Sequence, residues 1–167
     1  GSTSGSKNAG PAVVAASSPF SLRSKLVVVP SPQTLVMRRG LFGHGSLLSL
    51  TAAATRTSPI IRGKFIVTEF WNNPPPAPPD DVPVLEASAP QDRPSTVREQ
   101  LELHRANPVC AACHSKIDPV GFALENFDVV GKWRTQDRAG LALDTADVLS
   151  NGTSIGGVVS LREALVK

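Results

Sequence analysis

Hydrophobic positions follow a helical period in only a few stretches of this 167-residue chain. The clearest stretch begins at Ser58, a residue suited to capping a helix, and the Pro that follows it suits the first helical position. The pattern after this start predicts a helix over about 59–70, with Ile61, Phe65 and Trp71 on its apolar face. A run of prolines beginning at residue 74 cannot continue this helix.

Two further helices are predicted in the middle of the chain. Thr96 and Glu99 have the spacing of a capping box, which predicts a short helix from there to about Arg105. Asn107–Pro108 ends that helix in this interpretation. Another short helix is predicted around 122–127.

The C-terminal part of the chain contains a hairpin signal. Asn151-Gly152 lies between two short alternating segments, at 147–150 and 153–155, and an Asn-Gly pair favours a tight β-turn. Another helix is predicted to start at Leu161. The expected fold is mainly α, with long irregular connections and a small C-terminal β-hairpin.

Composition indicates that much of the chain is loop. There are 15 Pro and 13 Gly residues, while aromatic residues make up only 5% and Tyr is absent. Residues 1–35 are of low complexity and are interpreted as a linker. Residues 71–94 form a Pro-rich segment, interpreted as a stiff strap that connects two helices, with a ligand for an SH3-type domain as the alternative.

Charge is distributed unevenly along the chain. Residues 1–68 contain no acidic residue, whereas acidic residues outnumber basic ones in 69–167, and the net charge is +3. The basic residues are scattered and lack interleaved aromatic residues that could stack on bases, so nucleic acid is not an expected partner. No apolar run is long enough to predict a membrane-spanning helix.

The strongest chemical signal is Cys110-Ala-Ala-Cys113-His114, which contains both cysteines of the chain. Cys-x-x-Cys-His is the attachment motif of c-type haem. Two thiols at this spacing project to the same side and can bond to the two vinyl groups of the cofactor. His114 is then the proximal iron ligand, and its other ring nitrogen needs a hydrogen-bond acceptor, expected to be a carbonyl in the turn at 117–119.

Three other interpretations of this motif remain open. A Cys110–Cys113 disulfide would close a very small loop and stabilise the chain little. A zinc site would need two more ligands, for which His44 and His104 are the candidates besides His114. A redox-active dithiol would require the motif at the start of a helix that follows a strand, and no strand is predicted before it.

The surroundings of the motif closely resemble the planctomycete-type multidomain cytochrome c family. The similar segments are 103–114, 117–128 and 130–134, and, upstream, 39–41, 55–59, 62–64 and the proline run. The resemblance extends from about Arg38 to Ala164. It implies a cytochrome c-like haem-binding module over 36–160, exported to the periplasm or cell surface as part of a larger polypeptide. Residues 161–167 would then start a following domain.

A sixth iron ligand is not evident in the sequence. No Met follows position 37, so a downstream axial Met is excluded. The candidates are His44, Met37 and His104, or an open position. His44 is favoured, because it lies between two glycines in a segment similar to the family.

Other residues could contact the cofactor's edge or faces. Candidate partners of the haem propionates are Arg56, Arg62, Arg105, Arg134 and the indole N–H of Trp133. Candidate apolar walls are Phe122, Leu124, Phe127, Ile61 and Phe65.

Two main hypotheses of function follow. The first is an electron-transfer module with one covalent haem c and two axial ligands, serving neighbouring domains and redox partner proteins not identifiable from the sequence. The second is a haem enzyme or gas- or peroxide-binding module with an open sixth position. No acid–base pair for catalysis is evident, so no catalytic residue is assigned. A non-haem interaction module with a zinc or disulfide clasp is the third interpretation.

Overall fold

The structure is a computed structural model that describes residues 32–78 and 92–166. Within these residues the fold is mainly helical with one two-stranded antiparallel hairpin near the C-terminus, which confirms the expected fold class. The described residues form six α-helices, which are α1 (Pro32–Met37), α2 (Gly45–Leu50), α3 (Pro59–Glu69), α4 (Val97–His104), α5 (Pro108–Phe122) and α6 (Val158–Leu165). The strands are β1 (Ala146–Val148) and β2 (Ser154–Gly156), and a 3₁₀ turn covers Leu41–Gly43.

Helix α3 begins as predicted but buries a different face. The Ser58 side chain accepts a hydrogen bond from the backbone N–H of Ile61, and Pro59 occupies the first helical turn. The buried residues include Arg62, Ile66 and Val67, whereas the predicted wall residue Ile61 is 44% exposed. Ile61 therefore does not lie in the core, because α3 turns its glycine-containing face towards α5.

Helix α5 is the central element of the fold and was largely missed. The capping box of α4 is confirmed, but Asn107–Pro108 does more than end α4, since it starts the 15-residue helix α5. The predicted turn at 117–119 and the helix at 122–127 were both wrong: α5 runs through Pro119 to Phe122, and hydrogen-bonded turns follow it to Phe127. Pro119 has no backbone N–H and so leaves out one helical hydrogen bond of α5. The burial of all residues at 117–122 compensates for this loss.

The hairpin and α6 complete the core. Asp147 pairs with Ile155 at the centre of the hairpin, and Gly152 in the connecting turn has a φ of 82°, which confirms the turn that the Asn-Gly pair predicted. Helix α6 begins at Val158, and its Leu161 lies in the same core as Phe127 and Ile155. The domain boundary expected after residue 160 therefore falls inside α6.

Two segments that the sequence analysis singled out lie partly outside the described residues. These are the low-complexity segment 1–35, described from residue 32 onwards, and the Pro-rich strap 71–94, described at 71–78 and 92–94. In the described parts of the chain, no helix is both long and apolar enough to cross a membrane.

Candidate functional site

The Cys-x-x-Cys-His motif occupies the first two turns of α5. Asn107 caps the helix, because its side-chain oxygen accepts a hydrogen bond from the backbone N–H of Val109 at 2.9 Å. Pro108 follows at the first helical turn, where its missing N–H costs nothing. The local sequence thus fixes the point at which the helix, and with it the motif, begins.

The three motif side chains share one side of α5. Cys113 and His114 lie three and four residues after Cys110, so helical geometry places all three on neighbouring positions of one face. Both cysteines are free thiols and both are partly exposed. Neither cysteine is therefore enclosed in the core of the described chain.

The ring of His114 is held by a carboxylate from the next turn of α5. Nδ1 of His114 lies 2.9 Å from Oδ1 of Asp118, and the His114 side chain is 14% exposed. The acceptor lies in the segment that the sequence indicated, but it is a side-chain carboxylate instead of a backbone carbonyl. This contact leaves Nε2 of His114 as the ring nitrogen for another partner.

Asp118 is itself buried, and Arg105 is the basic residue next to it. The Asp118 side chain has no exposed surface, and its Oδ2 makes no hydrogen bond within the described part of the protein. The Nε atom of Arg105 lies 3.8 Å from Oδ2. Arg105, a candidate propionate partner, is thus drawn towards Asp118.

His104 packs directly against His114. The two ring centroids are 4.9 Å apart, with an interplanar angle of 69°. Burial, followed by the nearby His114, lowers the pKa of His104, and Asp118 opposes this shift. An iron between two imidazoles would hold their nitrogens about 4 Å apart and the ring centres farther still, given metal–nitrogen distances of about 2 Å. In the observed edge contact, His104 therefore lies beside His114 and is not placed as a second ligand of the same iron.

The other two candidates for a sixth ligand lie in the N-terminal part of the described chain. His44 is exposed, and its Nδ1 lies 2.8 Å from Oγ of Ser46. Met37 is half-buried and packs against the hydrophobic core.

Arg62, named above as a candidate propionate partner, has a structural role instead. Its side chain is completely buried, and it donates hydrogen bonds to the backbone carbonyls of Leu124, Phe127 and Asp128. The burial of Arg62 could not be predicted from neighbouring residues, because the carbonyls that it contacts come from a loop more than 60 residues further along the chain.

Most of the remaining edge and wall candidates lie at the other end of α5 or in the core. Arg134 donates to the carboxylate of Glu125 and to the hydroxyl of Thr57, both at 2.8 Å. Trp133 packs edge-to-face on Phe127, with ring centroids 5.3 Å apart. Phe122, Leu124 and Phe127 are buried, and Phe65 is partly buried.

A large cavity in the described part of the chain is separate from the motif. It has a volume of about 490 Å³ and is lined by residues that include Arg56, Arg98, Phe122 and Arg134. None of Cys110, Cys113 and His114 lines it. Residues 32–78 and 92–166 also contain no cluster of three or more His, Cys, Asp or Glu residues placed to hold a metal ion, so a zinc clasp lacks its further ligands there.

The fold and the motif together define a small, mainly helical domain with a Cys-x-x-Cys-His sequence at the start of its central helix. The model of the PSCyt3 family, described as a protein of unknown function (DUF1588), matches residues 38–137. The chain belongs to this family of planctomycete cytochrome-type domains. No curated protein and no solved structure matches the chain significantly.

Proposed function

We propose that the chain is a c-type cytochrome module that carries one covalent haem and transfers electrons within a larger exported protein. One observation carries the proposal: Cys110, Cys113 and His114 share a face of the first turns of α5, and Asp118 fixes the His114 ring with Nε2 free. Each thiol would add across one vinyl group, sulfur to one carbon and hydrogen to the other, so no oxidant or reductant is consumed.

The residues present fit this cofactor. The two thiols are free and partly exposed, and the Nδ1 side of His114 is already satisfied. Leu103 and Val109, on either side of the start of α5, expose 54% and 63% of their surface. An apolar macrocycle held at this helix start could cover such surface, which would favour binding.

The chain's own residues hold the site rigid. Asn107 fixes where α5 begins, and the packing of α3 against α5 holds the far side of the helix. When bound, haem supplies a one-electron iron couple whose potential depends on the ligands and on their hydrogen bonds. Asp118 supports the orientation of His114 that such ligation requires.

The proposal includes a location and partners. Covalent haem attachment in bacteria takes place outside the inner membrane, so the periplasm or the cell surface is the expected compartment. The electron donors and acceptors would be neighbouring domains of the longer polypeptide and separate redox proteins.

A pyridine haemochrome spectrum of the full chain, co-expressed with a cytochrome c maturation system, tests the proposal. We expect a c-type α-band that persists after denaturation and acid–acetone extraction. The band should shift in the Cys110→Ala and Cys113→Ala single variants and disappear from the protein in the double variant. Ser115→Ala is the matched control, because Ser115 is exposed on the same helix.

A folded, soluble chain without haem would overturn the proposal. Far-ultraviolet circular dichroism separates this result from a failure to fold. A zinc assay on the same haem-free protein then tests the clasp interpretation directly.

A second function is favoured by the positions of the sixth-ligand candidates. His104 lies beside His114, Met37 packs on the core and His44 is exposed. Within the described residues these three side chains thus already have other contacts, which favours an exchangeable sixth position and binding of a small gas or peroxide. Carbon monoxide added to the ferrous protein distinguishes the two functions, since rapid binding indicates an open position and no binding indicates a second protein ligand.

A further inference from the structure

The feature of the site that needs explanation is the buried carboxylate of Asp118. A carboxylate without exposed surface is costly unless charged or hydrogen-bonding groups compensate it. One oxygen is paired with Nδ1 of His114. The other makes no hydrogen bond to any described residue and has Arg105 at 3.8 Å. Its neighbours in α5, from Ile117 to Phe122, are also buried.

Among the described residues, three charged or titratable groups lie against this carboxylate or against the imidazole ring that it contacts. They are His114 itself, Arg105 beyond Oδ2, and His104 against the edge of the His114 ring. Arg105 is the permanently charged group among them, and its distance is longer than a hydrogen bond. The short contact of Asp118 is thus the one with His114, so the carboxylate acts mainly on that ring.

A carboxylate paired with one imidazole nitrogen has two effects on a metal bound at the other. It selects the tautomer that carries its proton on Nδ1, and it raises the basicity of Nε2. A more basic nitrogen ligand stabilises ferric iron relative to ferrous iron, so the reduction potential falls.

We propose that Asp118 is a positioning residue that fixes the His114 tautomer and lowers the reduction potential of the haem held by this motif. This inference rests on the proposed function. Asp118 lies one helical turn beyond the motif, so the residue proposed to set the reduction potential is not part of the motif itself.

Redox titration of the haem-loaded full chain tests the effect on potential. Asp118→Asn keeps the shape and removes the charge, so the potential should rise. Asp118→Glu keeps the charge and should return the potential towards that of the unmodified chain. Asp147→Asn is the control, since it removes one negative charge in the hairpin, where Asp147 pairs with Arg98 at 3.2 Å. Equal potentials for Asp118→Asn and Asp147→Asn would overturn the proposal.

A second measurement separates this inference from the haem proposal. Nitrogen-15 NMR of the full chain expressed without the maturation system reports the His114 tautomer in the absence of cofactor. We expect the proton on Nδ1, with this preference lost in Asp118→Asn. A failure to load haem would refute the proposed function alone, whereas a His114 proton on Nε2 in the unmodified chain would refute the role of Asp118. If Asp118→Asn does not fold, the unmodified chain and Asp118→Glu still decide the outcome.

Discussion

Gly63 of α3 lies directly against the backbone carbonyl of Ile117 in α5, and a β-carbon at position 63 would overlap that carbonyl. The relationship is reciprocal, since a β-carbon at Gly121 of α5 would overlap the carbonyl of Pro59. Two glycines, one on each helix, therefore allow the backbones of α3 and α5 to touch. This contact fixes the position of α5, the helix that carries the candidate site.

Adding a methyl group at either contact should destabilise the protein. We expect Gly63→Ala and Gly121→Ala each to lower the free energy of unfolding by about 1–3 kcal/mol, the usual cost of overpacking, because backbone atoms must move apart. Urea denaturation followed by circular dichroism measures this loss.

Gly156→Ala provides the control for these two variants. Gly156 is exposed in β2, and an added β-carbon there would meet no atom within 4 Å. Its denaturation midpoint should stay close to that of the unmodified chain. Midpoints equal to this control for Gly63→Ala and Gly121→Ala would contradict the close helix contact.

Arg62 and Glu125 form a buried contact between α3 and the segment that follows α5. Nη1 of Arg62 lies 3.4 Å from Oε1 of Glu125, and both side chains are buried. Burial raises the pKa of Glu125 and lowers that of Arg62, while the attraction between them opposes both shifts. Arg134 and Thr57 bind the other oxygen of Glu125, so the network joins α3 to the loop before it and to the segment after α5.

Replacing Arg62 by Met should cost about 3–5 kcal/mol of stability, the range for removing one partner of a buried ion pair. Part of this loss of stability arises because the backbone carbonyls of Leu124, Phe127 and Asp128 would lose their hydrogen-bond donor. Thermal and urea denaturation of the variant measure the effect. Arg138→Met, at an exposed arginine, should change stability by less than about 0.5 kcal/mol, and an equally small effect at Arg62 would contradict the network.

The capping box of α4 predicts a pH dependence of stability. Glu99 pairs with Arg93 and accepts a hydrogen bond from the backbone N–H of Thr96. The Arg93 hydrogen bond, followed by the Thr96 backbone, lowers the pKa of Glu99 below its ordinary value. A lowered folded pKa contributes stability above the ordinary carboxyl pKa, and this contribution disappears as pH falls through the folded value.

Glu99→Gln isolates this contribution, because Gln keeps the capping box and removes the charge. The unmodified chain should melt at a slightly higher temperature than Glu99→Gln at pH 7. The difference should decline once pH falls below the ordinary Glu pKa of about 4.3, and vanish as pH falls through the lower folded value. Added salt should reduce it, since the Arg93 pair is exposed. Calorimetry at several pH values measures it, and a difference that is unchanged from pH 7 down to pH 2 would contradict the assignment.

Local signals in the sequence predicted the starts of several elements, whereas long-range packing decided which faces are buried. Ser58 as a cap, the Thr96–Glu99 capping box and the Asn151-Gly152 turn each depend on neighbouring residues, and all three were confirmed. The burial of Arg62 in place of Ile61 depends on carbonyls after α5, which no local pattern indicates.

The same distinction applies to the candidate site. The five-residue motif was evident from its spacing, and an acceptor for His114 was expected within 117–119. That the acceptor is the Asp118 carboxylate follows from α5 continuing through Pro119, where the sequence favoured a turn. The contact of His104 with His114 depends on the angle between α4 and α5, which the sequence does not specify.

Asn107 links the stability of the fold to the start of the motif helix. Its side chain satisfies the backbone N–H of Val109, one of the free donors at the start of α5. Asn107→Ala should therefore lower the free energy of unfolding by about 1 kcal/mol, whereas Asn107→Asp, which retains a capping oxygen, should have little effect. Hydrogen exchange of the Val109 amide, with urea denaturation, measures both consequences. If the amide exchanged equally slowly in Asn107→Ala, water or another group would be its acceptor, and Asn107 would not determine where α5 begins.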